Sequence, residues 1–424
     1  MSSYAIDSEV GRLRKVIIHR PGPEVEAMTP EAAEELLFND IIPVTVVRSE
    51  HDSITAFLRR VCEVVEVEEL VAQAFENPTI REGVIAQACT TVEAGHRRAE
   101  LTELAPEELV SALVRGLPRR RDSLERYLSP RLYDIPPLPN LYFMRDAAMV
   151  YRDSVAIGAM AHPVRRLESL LVRAALGAAA GPAAAIGLGN HGGLLFDGAA
   201  AVDPEVRLEG GDFIVARRNL LLLGISERTS ARAVDLLVQN IFARFGEPVT
   251  VLAVVLPHRR ATIHLDMIFT FVDLNTALVY PPLITGPNRV QVVRMRFEPG
   301  RIPVIDEPDS VVDGLRSAGV PLTTVSCGGE DPLSRQREQW LSGTNVFAFA
   351  PGKIIGYACN VETLEALSKA GFTVRQVEAF LDGRDSVDEY DRLVVGCPGA
   401  ELARGGGGVR CMTLPVEREP LGAG

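Results

Sequence analysis

Cys411 stands directly after Arg404 to Arg410, a run in which positions 405 to 408 are four consecutive glycines. Backbone without side chains can approach a ligand closely or move as a gate, so a thiol placed there is offered to a substrate. A thiol attacks only as its thiolate, which calls for a base and a favourable charge environment. The stretch Ile263-His264-Leu265-Asp266 supplies both kinds of group. Read as a strand, its period of two sends His264 and Asp266 to one face and Leu265 to the other. In Leu208-Glu-Gly-Gly-Asp212 two carboxylates flank two glycines, an arrangement that brings Glu209 against a ligand or lets it orient a histidine. Pro139 to Asp146 adds Asn140 and Asp146 on either side of Tyr142 and Phe143, an aromatic pair that taken alone reads as core.

The combination says more than its members. A cysteine, a histidine and several carboxylates suit a cationic substrate. A planar cation with several N–H donors, such as guanidinium, pairs bidentately with carboxylates, so two Asp side chains can hold it in front of a thiolate.

These residues sit at recurrent places in the chain. Asp146 opens a segment of two short apolar strands joined by a turn, ending at Gly158, and Asp212 opens another ending at Gly224. Weaker copies begin at Asp266 and Asn345. The opening strand Arg14 to His19 and the closing strand near Arg410 to Pro415 lack a second arm, so together they complete a fifth unit from opposite ends of the chain. Helical patterns lie between, as in Arg232 to Phe245, with apolar residues at i, i+3, i+4 and i+7. Hairpins and helices repeated around a ring predict an α/β fold, a five-bladed pseudo-symmetric propeller whose polar hairpin starts converge on the axis. An ordinary α/β sandwich is the plainer alternative. Residues 76–135 break the pattern with helical stretches and no hairpin, one helix starting at Ala105-Pro-Glu-Glu108, and read as a helical insert within a single catalytic domain spanning 1–424. A further helix is expected from Thr29-Pro30-Glu31, ending at Leu36, Leu37 and Phe38.

With 424 residues, 47% of them hydrophobic, the chain can bury a large core. Its 56 acidic against 44 basic residues give a formal charge of −12, which argues against a nucleic-acid surface. The only basic cluster, Arg119 to Arg121, reads as a solvated helix end. No charged lead followed by an apolar stretch marks the first residues, and Ala174 to Gly189 is too short and too broken by glycine and proline to span a membrane, which needs about 20 residues. A cytoplasmic protein with no membrane partner is expected. The six cysteines have neither disulfide nor metal-ligand spacing.

The segments Asp7 to Pro21, Leu36 to Ile41, Pro139 to Asp146, Leu208 to Asp212, His264 to Asp266, Arg337 to Trp340 and Arg410 to Pro415, in that order, resemble those of the arginine deiminases of the guanidine-modifying (pentein) superfamily. The resemblance implies hydrolysis of free L-arginine to L-citrulline and ammonia, a five-bladed propeller with a helical insert, no cofactor and no metal, and a homodimer or larger homo-oligomer. It puts Cys411 on the nucleophile, His264 on the general acid/base, Glu209 on its partner carboxylate, and Asp146 and Asp266 on the guanidinium-binding carboxylates. Asn140, Arg165 and Arg228 fall on groups that bind the substrate α-carboxylate, and Phe143 becomes a wall of the substrate site. The sequence departs from the family where Asn39 replaces an Asp, Gly406 a loop arginine, and Met144 a Thr. An amidinotransferase shares the Cys, His and carboxylate logic. A catalytically silent binding subunit is the third reading, and it would be expected to have lost the nucleophile or the base.

Overall fold

In the computed structural model, residues 4–29, 37, 40–178, 181, 185, 193–201 and 203–422 are described. The expected helix from Thr29 to Phe38, and Asn39, lie outside the described residues apart from Thr29 and Leu37. The fold is mixed α/β. Five sheets among the described residues share one pairing plan, an antiparallel hairpin extended by a parallel third strand. The four expected hairpins are present as Ala148–Tyr151 with Ser154–Ile157, Phe213–Arg217 with Leu220–Ile225, Phe269–Asp273 with Thr276–Val279, and Phe347–Ala350 with Lys353–Tyr357. In the remaining sheet the two ends of the chain meet, Leu13–Ile18 running antiparallel to Leu414–Arg418.

The third strands carry no hairpin signal, and the sequence patterns do not reveal them. Glu63–Glu66, Leu194–Asp197, Val249–Val255, Thr323–Ser326 and Leu393–Cys397 each return parallel to a hairpin arm after an intervening crossover. Parallel neighbours need such connections, which is why helices stand between the hairpins in sequence. Ala231–Phe245 illustrates the local logic. Ser230 Oγ accepts from the Ala233 amide at its N-terminus, and Gly246 closes it in the left-handed conformation at φ 63°. Its apolar stripe, Val234, Leu237, Val238 and Ile241, is buried.

Residues 76–135 are largely helical, with helices at Pro78–Thr91 and Pro106–Arg115; the amide of Ala105 donates to Glu108 Oε2 at 3.0 Å. One difference from expectation is a short antiparallel pair, Leu117–Pro118 with Tyr133–Ile135. It forms because Asp134 is buried between arginines: Arg97 Nε donates to it at 2.8 Å and Arg119 lies 3.6 Å away. The basic cluster is thus structural, with Arg120 paired to Glu100 at 2.7 Å and Arg121 donating to carbonyls of residues 126, 127, 129 and 131. No described helix is long and apolar enough to cross a membrane.

Candidate active site

The residues that open the hairpins come together in a cavity of about 310 Å³ lined by Asn140, Phe143, Asp146, Arg165, Arg228, His264 and Cys411. Glu209 and Asp266 lie directly behind this lining. His264 Nε2 is 2.9 Å from Glu209 Oε2, and Asp266 Oδ2 accepts from the Cys411 thiol at 3.7 Å. Asp146 faces the imidazole from the other side, 3.7 Å from His264 Nδ1. All nine residues singled out from the sequence therefore belong to one site.

Their backbone setting differs from the strand reading. Leu265–Met267 is a turn of 3-10 helix and the strand begins at Phe269, so His264 and Asp266 are not alternate residues of a strand. The turn is held by Asp212, whose Oδ1 accepts from the Leu265 amide at 2.8 Å while Oδ2 accepts from Ser226 Oγ at 2.7 Å. Burial pushes the Asp212 pKa up to about 6, against the pull of His264 and its hydrogen bonds. The two glycines of Leu208 to Asp212 are steric requirements. A Cβ on Gly211 would lie 2.5 Å from the His264 ring, and one on Gly210 2.0 Å from the Arg145 carbonyl oxygen.

Cys411 lies in a turn ahead of the closing strand, which starts at Leu414. Asn345 Oδ1 accepts from its amide at 3.0 Å. The glycine run packs as closely as its composition allows. A Cβ at Gly407 would stand 2.3 Å from the Phe143 ring, one at Gly408 2.5 Å from the Asn345 carbonyl oxygen, and Gly406 has φ 99°. The position where the family carries an arginine thus has a backbone shape that side-chain-bearing residues rarely adopt. Tyr142 is core, packed on Phe143 with ring centroids 4.1 Å apart, whereas Phe143 forms a wall of the cavity. Met144 is fully buried.

Charge in the site is dense and paired. Arg165 donates to Asp146 Oδ2 and Glu168 Oε2, each at 2.8 Å, and Arg228 Nη1 lies 3.4 Å from Glu209 Oε2. Arg410, adjacent to Cys411 in sequence, donates to Asp266 Oδ2 at 2.8 Å and to both oxygens of Glu9 at 3.0 and 3.2 Å. Burial works against the charge of Glu209, but Arg228, His264 and Arg165 outweigh it and hold its pKa well below the usual range. Burial likewise works against a charged His264. Asp146 and the Glu209 hydrogen bond prevail and lift its pKa to about 9, so the imidazole is protonated at neutral pH. Burial and then the negative charges of Asp266 and Asp146 push the Cys411 thiol well above its ordinary pKa. Burial raises Glu168 to about 7 despite Arg165.

Two atoms stand out. Asp146 Oδ1 and Asp266 Oδ1 are buried and have no hydrogen-bond partner. A buried carboxylate oxygen without a donor is costly, which marks both as acceptors for a ligand. Asn345, Glu9, Arg410 and Glu168 have no role that the sequence patterns assign. Asn345 shows there only as a hairpin start, Glu9 and Arg410 act through contacts between distant parts of the chain, and Glu168 pairs with Arg165 three residues before it.

The arginine deiminase family profile matches residues 34–418. An arginine deiminase of Listeria monocytogenes serotype 4a (strain HCC23) is 32% identical over 98% of both chains, and one of Bacillus cereus (strain B4264) is 30% identical over the same shares. Among solved structures, the amidinotransferase SxtG from Microseira wollei superimposes with a TM-score of 0.53 at 12% identity, covering 99% of this chain and 98% of its own. The N-terminal domain of ArgZ, in a substituted form covalently bound to a reaction intermediate, has a TM-score of 0.52 at 14% identity, covering 95% of this chain and 98% of its own. These structural likenesses concern the fold. The chain belongs to the arginine deiminase family. It is a hydrolase acting on the guanidino group of arginine.

Proposed function

We infer that the chain hydrolyses L-arginine to L-citrulline and ammonia through a covalent intermediate on Cys411. The observation that carries this reading is the pair of buried oxygens without a hydrogen bond on Asp146 and Asp266, one carboxylate beside the imidazole and the other touching the thiol. A guanidinium donating to both brings its central carbon to the sulfur. It also supplies the positive charge that the thiol lacks, since burial and the two aspartates hold Cys411 protonated. Binding of the cation therefore expels the thiol proton to solvent, and the thiolate attacks the guanidinium carbon.

His264 carries the next proton. Protonated at neutral pH, it gives its proton to the departing nitrogen as the carbon–nitrogen bond breaks, leaving ammonia and a thiouronium cation on Cys411. The neutral imidazole then takes a proton from water, whose oxygen attacks the same carbon; as the carbon–sulfur bond breaks, that oxygen gives up its remaining proton to solvent, releasing citrulline and the thiolate. Glu209 stabilises the imidazolium in both directions. Asn140, Arg165 and Arg228 bind the α-carboxylate, supported by their place on the cavity wall with Phe143. Asp146, Glu209 and His264 also place one potential metal ligand each within 4.8 Å of one another. A protonated histidine and two carboxylates neutralised by Arg165 and Arg228 favour an organic cation over a metal ion, in keeping with chemistry that needs no cofactor.

The repeated pairing plan of the five sheets supports a five-bladed propeller in a single catalytic domain, with residues 76–135 as its helical insert. Family membership supports a cytoplasmic homodimer or larger homo-oligomer, which light scattering of the purified protein would size. The deciding experiment incubates the protein with L-arginine, measures citrulline and ammonia, and quenches early time points with acid for mass spectrometry. The peptide containing Cys411 should transiently gain the mass of the amidino adduct, and Cys411→Ser should abolish turnover in a folded protein. Citrulline accumulating with Cys411 always unmodified would refute the covalent route.

A further inference from the structure

A second cavity is larger than the one that holds the thiol. It measures about 550 Å³ and lies between the helices Pro78–Thr91 and Arg166–Gly177 and residues 198–201 and 203–207. Part of its wall is apolar, from Met160, Leu170 and Val206. The polar part is positive. Of its three arginines, Arg173 is paired with Asp197 at 3.1 Å, but Arg166 and Arg207 have no carboxylate partner among the described residues. Asp203, the one acidic residue among the described residues of the wall, is already paired with Arg232 at 2.9 Å.

Two buried polar atoms there lack partners. Ser169, 1% exposed, has an unbonded Oγ, and Arg207 has a buried, unbonded Nε. A hydroxyl and a guanidinium nitrogen left without acceptors, beside a second uncompensated guanidinium, form a site that lacks an anion. The site is distinct from the one around Cys411, although the two share a wall. The Ala161 amide donates to Glu209 Oε1 at 3.0 Å on one side while Met160 and Ala161 line the larger cavity on the other.

We propose that this cavity is a second binding site, taking a small molecule with an oxyanion head, phosphate or carboxylate, on Arg166, Arg207 and Ser169, and a short apolar body against Met160, Leu170 and Val206. The proposal is independent of the reaction assigned to Cys411.

Phenyl phosphate is a suitable probe, with benzoate run in parallel to distinguish the phosphate from the carboxylate head, and phenol as the uncharged control. Calorimetric titration of the full chain should give saturable heat with at least one of the two anions and none with phenol. Arg207→Met and Arg166→Met should each weaken binding by about tenfold or more, and Arg207→Lys by less than Arg207→Met. Arg166 is exposed, so its substitution decides the matter even where Arg207→Met fails to fold. Arg228→Met, at the other site, should leave the heat intact, and saturating probe should not raise KM for arginine competitively. Absence of heat up to about 10 mM of either anion, equal binding of phenol, affinity unchanged in both Met variants, or loss confined to Arg228→Met would each overturn the proposal.

Discussion

Replacing Glu209 with glutamine tests the electrostatic arrangement of the site at its centre. The change keeps the side-chain shape and an oxygen to accept from the Ala161 amide, but removes the charge 2.9 Å from His264 Nε2. His264 rises from an ordinary 6.5 to about 9 because Asp146 and Glu209 overcome its burial. At about 1.4 kcal/mol per pKa unit, this lift corresponds to roughly 3 kcal/mol of net stabilisation of the imidazolium. Glu209 supplies both a hydrogen bond and a Coulombic part of it, so its loss should lower the His264 pKa to roughly 7 to 8. The first chemical step needs the imidazolium. The alkaline limb of the pH dependence of kcat should therefore move down by about one to two pH units, and kcat should drop by roughly 10²- to 10⁴-fold even where His264 stays protonated, because the imidazole loses its orienting partner. The same linkage acts on stability. A pKa raised in the folded state stabilises the wild type fully below the ordinary value of 6.5, and that contribution is lost as pH rises through about 9. Urea unfolding should show a decline across that window that is smaller in Glu209→Gln. Citrulline formation from pH 6 to 10, with NMR titration of the histidines, measures both pKa and rate. An unchanged alkaline limb and His264 titration in a folded variant would refute the assignment of Glu209 as the group that holds the imidazolium.

Cys411 should react with iodoacetamide at neutral pH more slowly than a free thiol by about tenfold or more, since burial and two aspartates keep it protonated; rapid alkylation read by peptide mass spectrometry would contradict substrate-assisted ionisation. Agmatine, which lacks the α-carboxylate, should be turned over with kcat/KM lower by roughly 2 to 5 kcal/mol in equivalent free energy, and comparable values for agmatine and arginine would remove Arg165 and Arg228 from carboxylate binding. Gly211→Ala should cost activity more than stability, because its Cβ would fall 2.5 Å from the His264 ring and displace the acid/base; a chevron or melting curve alongside kcat separates the two effects, and near-normal kcat would show that the ring moves freely.

What is legible in the sequence follows from local pattern. Turn-separated apolar runs mark all four hairpins, and the unpaired first and last strands do pair with each other, because each signal lies within a dozen residues or at a chain end. The parallel third strands are not legible. Their partners are set by crossovers, and a buried parallel strand such as Val249–Val255 has only an apolar run to show.

The hairpin starts show where reading from sequence is incomplete. Asp146, Asp212, Asp266 and Asn345 occupy equivalent places, yet they divide into two kinds by what their oxygens meet. Asp146 and Asp266 each keep one buried oxygen without a donor, while Asp212 accepts from the Leu265 amide and Asn345 from the Cys411 amide. Two of the repeated positions thus keep an oxygen free of donors, and the other two fix the backbone at Leu265 and Cys411. The turn that carries His264 and Asp266 is set by Asp212, more than fifty residues earlier, so the two residues meet at one site without being alternate residues of a strand. Glu9 and Arg410 extend the same logic. The first and last segments of the chain meet beneath Asp266, and the pairing of the terminal strands that completes a sheet also delivers the guanidinium that holds the Asp266 carboxylate in place.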